Sequence, residues 1–139
     1  MPELTGGCLC GAVRFEVTEP LVAAGYCHCT RCQRRTGTAA SPQARIVPGS
    51  LRITSGEGSI RAHVPDGGAE KMFCVECGSA LWSRGADDPQ YISIRLGAFD
   101  SDPGVRPSYH QFVDYAAPWE QLPDDRLPRY RERRPPGVG

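Results

Sequence analysis

Cys27-His28-Cys29-Thr30-Arg31-Cys32 places three thiols within six residues. Two further clusters flank it, Gly7-Cys8-Leu9-Cys10-Gly11 before and Cys74-Val75-Glu76-Cys77-Gly78 after, and the three together hold all seven cysteines of the 139-residue sequence. Thiolates spaced i/i+2 or i/i+3 converge on one soft cation, with Zn–S near ~2.3 Å. A glycine just after the last ligand lets the chain turn tightly and aim backbone N–H groups at the sulfurs. Free thiols serving as small core residues would be scattered rather than clustered. A disulfide framework is opposed by the odd count and by the start Met1-Pro2-Glu3-Leu4-Thr5-Gly6-Gly7, which has neither the basic nor the apolar stretch of an export signal. The expected compartment is the cytoplasm, whose reducing poise disfavours structural disulfides.

Seven ligands divide naturally into four and three. A closed four-thiolate site is structural, whereas a three-ligand site keeps a position open for water or substrate. The central cluster supplies three ligands locally, so Cys27, Cys29 and Cys32 are the candidates for the open, reactive site. Cys8, Cys10, Cys74 and Cys77 would then close the structural one and tie the N-terminus to the middle of the chain. Spacing alone leaves two alternatives: one four-cysteine site with spare thiols, or a second site completed by His28, His63 or His110.

Outside the clusters, strand patterns dominate. Val13, Phe15 and Val17 alternate with Arg14 and Glu16, and Ile92, Ile94 and Leu96 alternate in the same way. Residues 51–53 and 60–64 read similarly, and 21–26, 39–47, 70–73, 80–83 and 108–113 are further strand candidates. Turn signals such as Pro48-Gly49, Pro65-Asp66-Gly67-Gly68 and Asp102-Pro103-Gly104 separate them. One short helix is expected from Thr30 to Thr36, ended by Gly37. The pattern predicts an all-β domain of short antiparallel strands cross-linked by metal, over residues 1–130. A basic, Pro/Gly-rich tail follows over 131–139, and the chain is expected to fray from Pro128 onward.

Composition agrees with one globular domain. Hydrophobic residues make up 40% of the chain, and Gly 16 with Pro 13 argue against long helices. Lys+Arg 16 balances Asp+Glu 16, so nothing global calls for nucleic acid or an anionic membrane surface. No apolar run approaches the ~18 residues of a membrane span. The expected partner is a small molecule.

The three cysteine motifs in this order resemble the glutathione-dependent formaldehyde-activating enzyme family, or CENP-V/GFA domain. Phe73 and the run Ser79-Ala80-Leu81-Trp82 around the last motif extend the match, as do His110, Pro118-Trp119 and Leu127-Pro128. The resemblance implies a small all-β, Mss4-like zinc-bound fold carrying two zinc ions. The structural ion maps to Cys8, Cys10, Cys74 and Cys77, and the second to Cys27, Cys29 and Cys32. It implies a carbon–sulfur lyase acting on a thiol–aldehyde adduct such as S-hydroxymethylglutathione, with glutathione and formaldehyde as substrates.

Zinc on three thiolates and an open position either polarises a carbonyl or holds a thiol as its thiolate. The residual −1 charge weakens Lewis acidity and favours thiolate delivery or an exchangeable ion. Arg31, Arg34 and Arg35, beside the metal loop, are candidates for binding glutathione carboxylates, with a solvated helix face as the alternative. His28 is expected to point away from the metal, toward a supporting contact or the surface, and His63 to be exposed. His110 either lines the cleft or packs as a structural histidine. Trp82 and Trp119 are expected in the core. Two rival functions are a non-catalytic zinc module and a thiol-redox or zinc-buffering protein. The first would need a partner-binding face, and the second ready oxidation of Cys27, Cys29 and Cys32.

Overall fold

Val13, Phe15 and Val17 turn one face of the second strand inward and are almost fully buried, while Arg14 and Glu16 stay at the opposite face. From this seam the fold builds in two sheets. The computed structural model describes residues 4–135. Strands β1 (Leu4–Gly7), β2 (Arg14–Val17) and β5 (Leu51–Ser55) form a three-stranded sheet in the order β1-β2-β5. The larger, seven-stranded sheet takes β3 (Ala23–Cys27), β4 (Ser41–Arg45), β6 (Ile60–His63), β7 (Glu70–Cys74), β8 (Ala80–Arg84), β9 (Ile92–Arg95) and β10 (His110–Gln111). Its order is β10-β3-β4-β9-β8-β7-β6. The single α-helix among the described residues, α1, runs Thr30–Thr36 and stops at Gly37, whose φ of 67° is left-handed.

The apolar faces of the two sheets meet in one core. Phe15 of the small sheet stands edge-on to Trp82 of the large one, ring centroids 5.8 Å apart, and to Phe99 at 5.7 Å. Leu81, Ile94, Ala24 and Ala44 complete the large sheet's contribution. β8, an interior strand of its sheet, is buried on both faces, so Leu81, Trp82 and Ser83 are all covered.

Four expectations are corrected. β1 was not foreseen, because Thr5-Gly6-Gly7 reads as a loop. It pairs antiparallel with β2 from Leu4 to Gly7, and a Cβ on Gly6 would lie 2.3 Å from the Ala98 carbonyl oxygen, so glycine permits the close approach of the two chains there. The sheets are not wholly antiparallel: β10 runs parallel to β3, pairing His110 with Tyr26 and Gln111 with Cys27. The strand expected over 108–113 is therefore short. The chain is also ordered past Pro128. His110 N–H donates to the Pro128 carbonyl, Tyr130 N–H to His110, and Phe112 N–H to Glu132, while Arg134 covers the Tyr109 ring at 4.4 Å. The unpaired edge of β10 is what this segment satisfies. Residues 136–139 of the expected tail lie outside the described ones. Finally, Trp82 is core but Trp119 is 69% exposed.

Candidate metal centres

The seven sulfurs gather into two groups. Those of Cys8, Cys10, Cys74 and Cys77 lie within 4.8 Å of one another, as do those of Cys27, Cys29 and Cys32. Four sulfurs around zinc at ~2.3 Å would be about 3.8 Å apart along a tetrahedral edge. The observed Cys8–Cys10 and Cys10–Cys74 separations are 3.6 and 3.9 Å. The donor set and its spacing therefore fit zinc.

Local backbone shape explains how each ligand pair is presented. In the first group, Gly11 and Gly78 follow the ligands with φ of 81° and 78°. Each closes a turn onto its own knuckle, Gly11 N–H to the Cys8 carbonyl and Gly78 N–H to Cys74. Val13 N–H donates to the Cys8 sulfur at 3.2 Å. The Ser79 hydroxyl and backbone pull the Cys77 thiol down to about 5, toward the thiolate a metal requires. In the second group, Cys27 ends β3, and Cys29 caps α1 by accepting from the Cys32 N–H at 3.3 Å. Here charge is unequally held. Cys27 and Cys29 donate to the Cys32 sulfur, which with the nearby Arg35 charge drives Cys32 down to about 2, while hydrogen bonding with Cys29 and Cys32, and burial, drive Cys27 up.

The two groups differ in what they face. Cys27 and Cys32 line a cavity of about 590 Å³ to which the four-cysteine group contributes nothing. Its floor is the outer face of the large sheet. Ala23, Arg45, Ser93, Ser83 and Lys71 stand in one register row across five strands. Tyr91 and Tyr109 wall it, with Arg45 over the Tyr91 ring at 4.8 Å. Its charged lining residues are Arg45, Lys71, Arg133 and Arg134, with no carboxylate among the described residues. On the same face as Ser93, two residues along β9, Arg95 is 7% exposed and donates to Gln43 Oε1 and Ser83 Oγ. Burial and the neighbouring Arg35 push its guanidinium down to about 10, still charged at neutral pH, and the three sulfurs act the other way. Lys71 is likewise lowered by burial, with Cys32 and Cys29 opposing.

Of the three arginines singled out from sequence, Arg35 stands by Cys32 and donates to Ser41 at 2.8 Å. Arg31 and Arg34 are exposed and line a second cavity of about 430 Å³ with Arg35, His63, Met72 and Phe73. His63 is exposed as expected. His28 does point away from the sulfurs, but into the interior: it is 2% exposed, and its Nε2 lies 2.8 Å from His110 Nδ1. His110 is buried too and bonds Asp125 Oδ2 through Nε2 at 2.7 Å. Sequence reasoning missed Arg45, Lys71, Ser83, Ser93 and Arg95. Their only signal was the polar face of alternating strands, which reads as solvent-facing.

A family model described as glutathione-dependent formaldehyde-activating enzyme matches residues 3–115. The chain belongs to that family. A Halomonas elongata protein named "Putative glutathione-dependent formaldehyde-activating enzyme" is 27% identical over 128 residues, covering 86% of this chain and 80% of its own. A crystal structure of a Rhodobacter sphaeroides protein, solved as a structural genomics target, superposes with a TM-score of 0.55 at 29% identity, over 74% of this chain and 91% of that one. The family match covers every cysteine and the sheet row beneath the cavity, but ends at residue 115. His110 therefore falls inside the matched region of this member of the glutathione-dependent formaldehyde-activating enzyme family, and Asp125 falls outside it.

Proposed function

We propose that this chain is a zinc-dependent carbon–sulfur lyase that makes and breaks the adduct of a glutathione-type thiol with a small aldehyde. The observation that carries this reading is that the three-cysteine group opens onto a cavity whose charged side chains, the cysteine sulfurs apart, are all cationic. Its volume lies within the ~300–1,000 Å³ of ordinary small-molecule sites. Cys8, Cys10, Cys74 and Cys77 would hold a structural zinc, and Cys27, Cys29 and Cys32 the second, on a fold of the Mss4-like kind. The protein would be cytoplasmic. Among the described residues no helix is long and apolar enough to cross a membrane.

Zinc at the second site supplies, when bound, a cation able to hold a thiolate or polarise a carbonyl. The chain's own residues account for the rest. Arg45 and Lys71 receive the carboxylates of the thiol peptide, and the tyrosine walls confine its backbone. Fixing both reactants in one cleft makes the addition effectively unimolecular. As the thiolate sulfur attacks the aldehyde carbon, the C=O π pair moves to oxygen, which takes up the proton that the thiol gave up on ionising, to give the hydroxymethyl adduct. The reverse reaction returns the proton and expels sulfur as thiolate. Arg35, Arg95 and Lys71 offset the negative charge that three thiolates bring to the site.

Calorimetry on zinc-loaded protein tests the reading. Glutathione should bind more tightly than S-methylglutathione, which cannot form a thiolate. Lys71→Met should weaken glutathione about 10–100-fold, the loss of one charge-assisted contact of ~1.5–3 kcal/mol, whereas Arg34→Ala should change it less than about twofold. Equal affinity for the two peptides, or no binding of either, would refute it.

A further inference from the structure

Two buried histidines and a solvent-accessible carboxylate lie in a line that the reaction above does not use. Asp125, in the segment after the last 3-10 turn (Val113–Tyr115), places Oδ2 at 2.7 Å from His110 Nε2, and its Oδ1 accepts the Leu127 N–H at 3.0 Å. His110 Nδ1 meets His28 Nε2 at 2.8 Å, and His28 Nδ1 is buried without a protein partner. His28 sits between two of the proposed ligands, and its backbone is held from the same side. Its N–H donates to the Gln111 carbonyl, and its carbonyl accepts from Gln33 Nε2, which also donates to the Tyr115 carbonyl.

A carboxylate only accepts hydrogen bonds, so the proton between Asp125 and His110 belongs to His110 Nε2. A neutral His110 then has a lone pair on Nδ1, so the proton on its contact with His28 belongs to His28 Nε2. His28 is left with a lone pair, not an N–H, on its orphaned nitrogen. The alternative, with a proton on that nitrogen, would bury an unpartnered donor. We propose that Asp125 is a positioning residue for the three-cysteine loop: acting through His110, its carboxylate fixes the tautomer of His28 and so locks the loop to the C-terminal segment by hydrogen bonds of one direction. Metal-site loops are held in this way by outer hydrogen bonds whose loss costs about 10–100-fold in metal affinity. The proposal rests on Cys27, Cys29 and Cys32 being metal ligands, and not on the lyase reaction.

Asp125→Asn gives a specific inversion. The new carboxamide keeps its oxygen on the Leu127 N–H and so turns its NH₂ toward His110 Nε2. His110 must then carry its proton on Nδ1, and His28 on its own Nδ1. Long-range ¹H–¹⁵N spectra of the zinc-loaded, ¹⁵N-labelled full chain read both tautomers directly, with exposed His63 as the internal reference. Wild type should show Nε2–H at His28 and His110. The variant should show Nδ1–H at both and lose its second zinc to a chelator about 10–100-fold more readily, with the first zinc unaffected. A purely structural contact would weaken the fold without exchanging tautomers. The proposal is overturned if wild-type His28 carries Nδ1–H, if wild-type His110 is an imidazolium at neutral pH, or if a folded variant keeps both tautomers or its second zinc. The wild-type spectrum decides even where the variant does not fold. A wild type that loads only one zinc overturns the metal reading, and this role with it, whatever its tautomers.

Discussion

Removing Cys8 and Cys10 together as serines should cost far more stability than removing Cys29 and Cys32 together. The two sites cross-link very different lengths of chain. Cys10 and Cys74 are 64 positions apart, whereas the three-cysteine loop spans six residues, and its helix is already ended by Gly37 and held by Gln33. In the chain-entropy treatment of cross-links, closing a loop of that first length removes about 4 kcal/mol from the unfolded state, and closing six residues about 2. Metal binding free energy adds to the first figure, because the folded chain forms that site from two distant knuckles. A loss of about 4 kcal/mol is a large share of the ~5–15 kcal/mol that stabilises a typical domain. At a typical urea slope of about 2 kcal/mol/M the midpoint should fall by roughly 2 M for Cys8→Ser/Cys10→Ser, and by 1 M or less for Cys29→Ser/Cys32→Ser. Trp82, buried between the sheets against Phe15, supplies the fluorescence signal for the melt of zinc-loaded protein. Equal midpoint shifts for the two double variants, or a larger one for Cys29/Cys32, would refute the division into a structural and a reactive site.

Two further outcomes follow from the same geometry. Stepwise chelation of fully loaded protein should release one zinc early and the second only with loss of the Trp82 signal. The measurement is elemental analysis alongside the melt, and a stoichiometry that never exceeds one after zinc is restored would remove the second site. Gly25→Ala should destabilise by about 1–3 kcal/mol, the usual cost of overpacking. An added Cβ would lie 2.2 Å from the Tyr109 ring, and shifting that ring opens the cavity wall, so thermal melts and glutathione affinity should both fall.

How far the sequence reached depends on how local each feature is. The spacing within each cysteine motif, the glycine after each outer knuckle and the helix of residues 30–36 all depend on near neighbours along the chain. Each was legible because a few residues fix their own backbone. The alternation of Val13, Phe15 and Val17 likewise placed β2 on a core, since period two follows from the pleat of a single strand. The pairing of Cys8 and Cys10 with Cys74 and Cys77 was reached by counting ligands. The structure brings those sulfurs together by laying the N-terminal strands over the large sheet.

Other features exist only between segments. The row Ala23, Arg45, Ser93, Ser83 and Lys71 becomes one cavity floor through strand register, and register is set by how distant strands meet, not by any one of them. In sequence those polar positions are indistinguishable from a solvated face. The same holds for His28, His110 and Asp125, which no motif joins and which a parallel pairing of β10 with β3 aligns. The ligand motifs themselves were therefore written in the sequence, because spacing within each motif is a local property. What surrounds the reactive group, and what holds its loop, was decided by the tertiary structure, because charge and hydrogen bonding at a site are summed over every strand that reaches it.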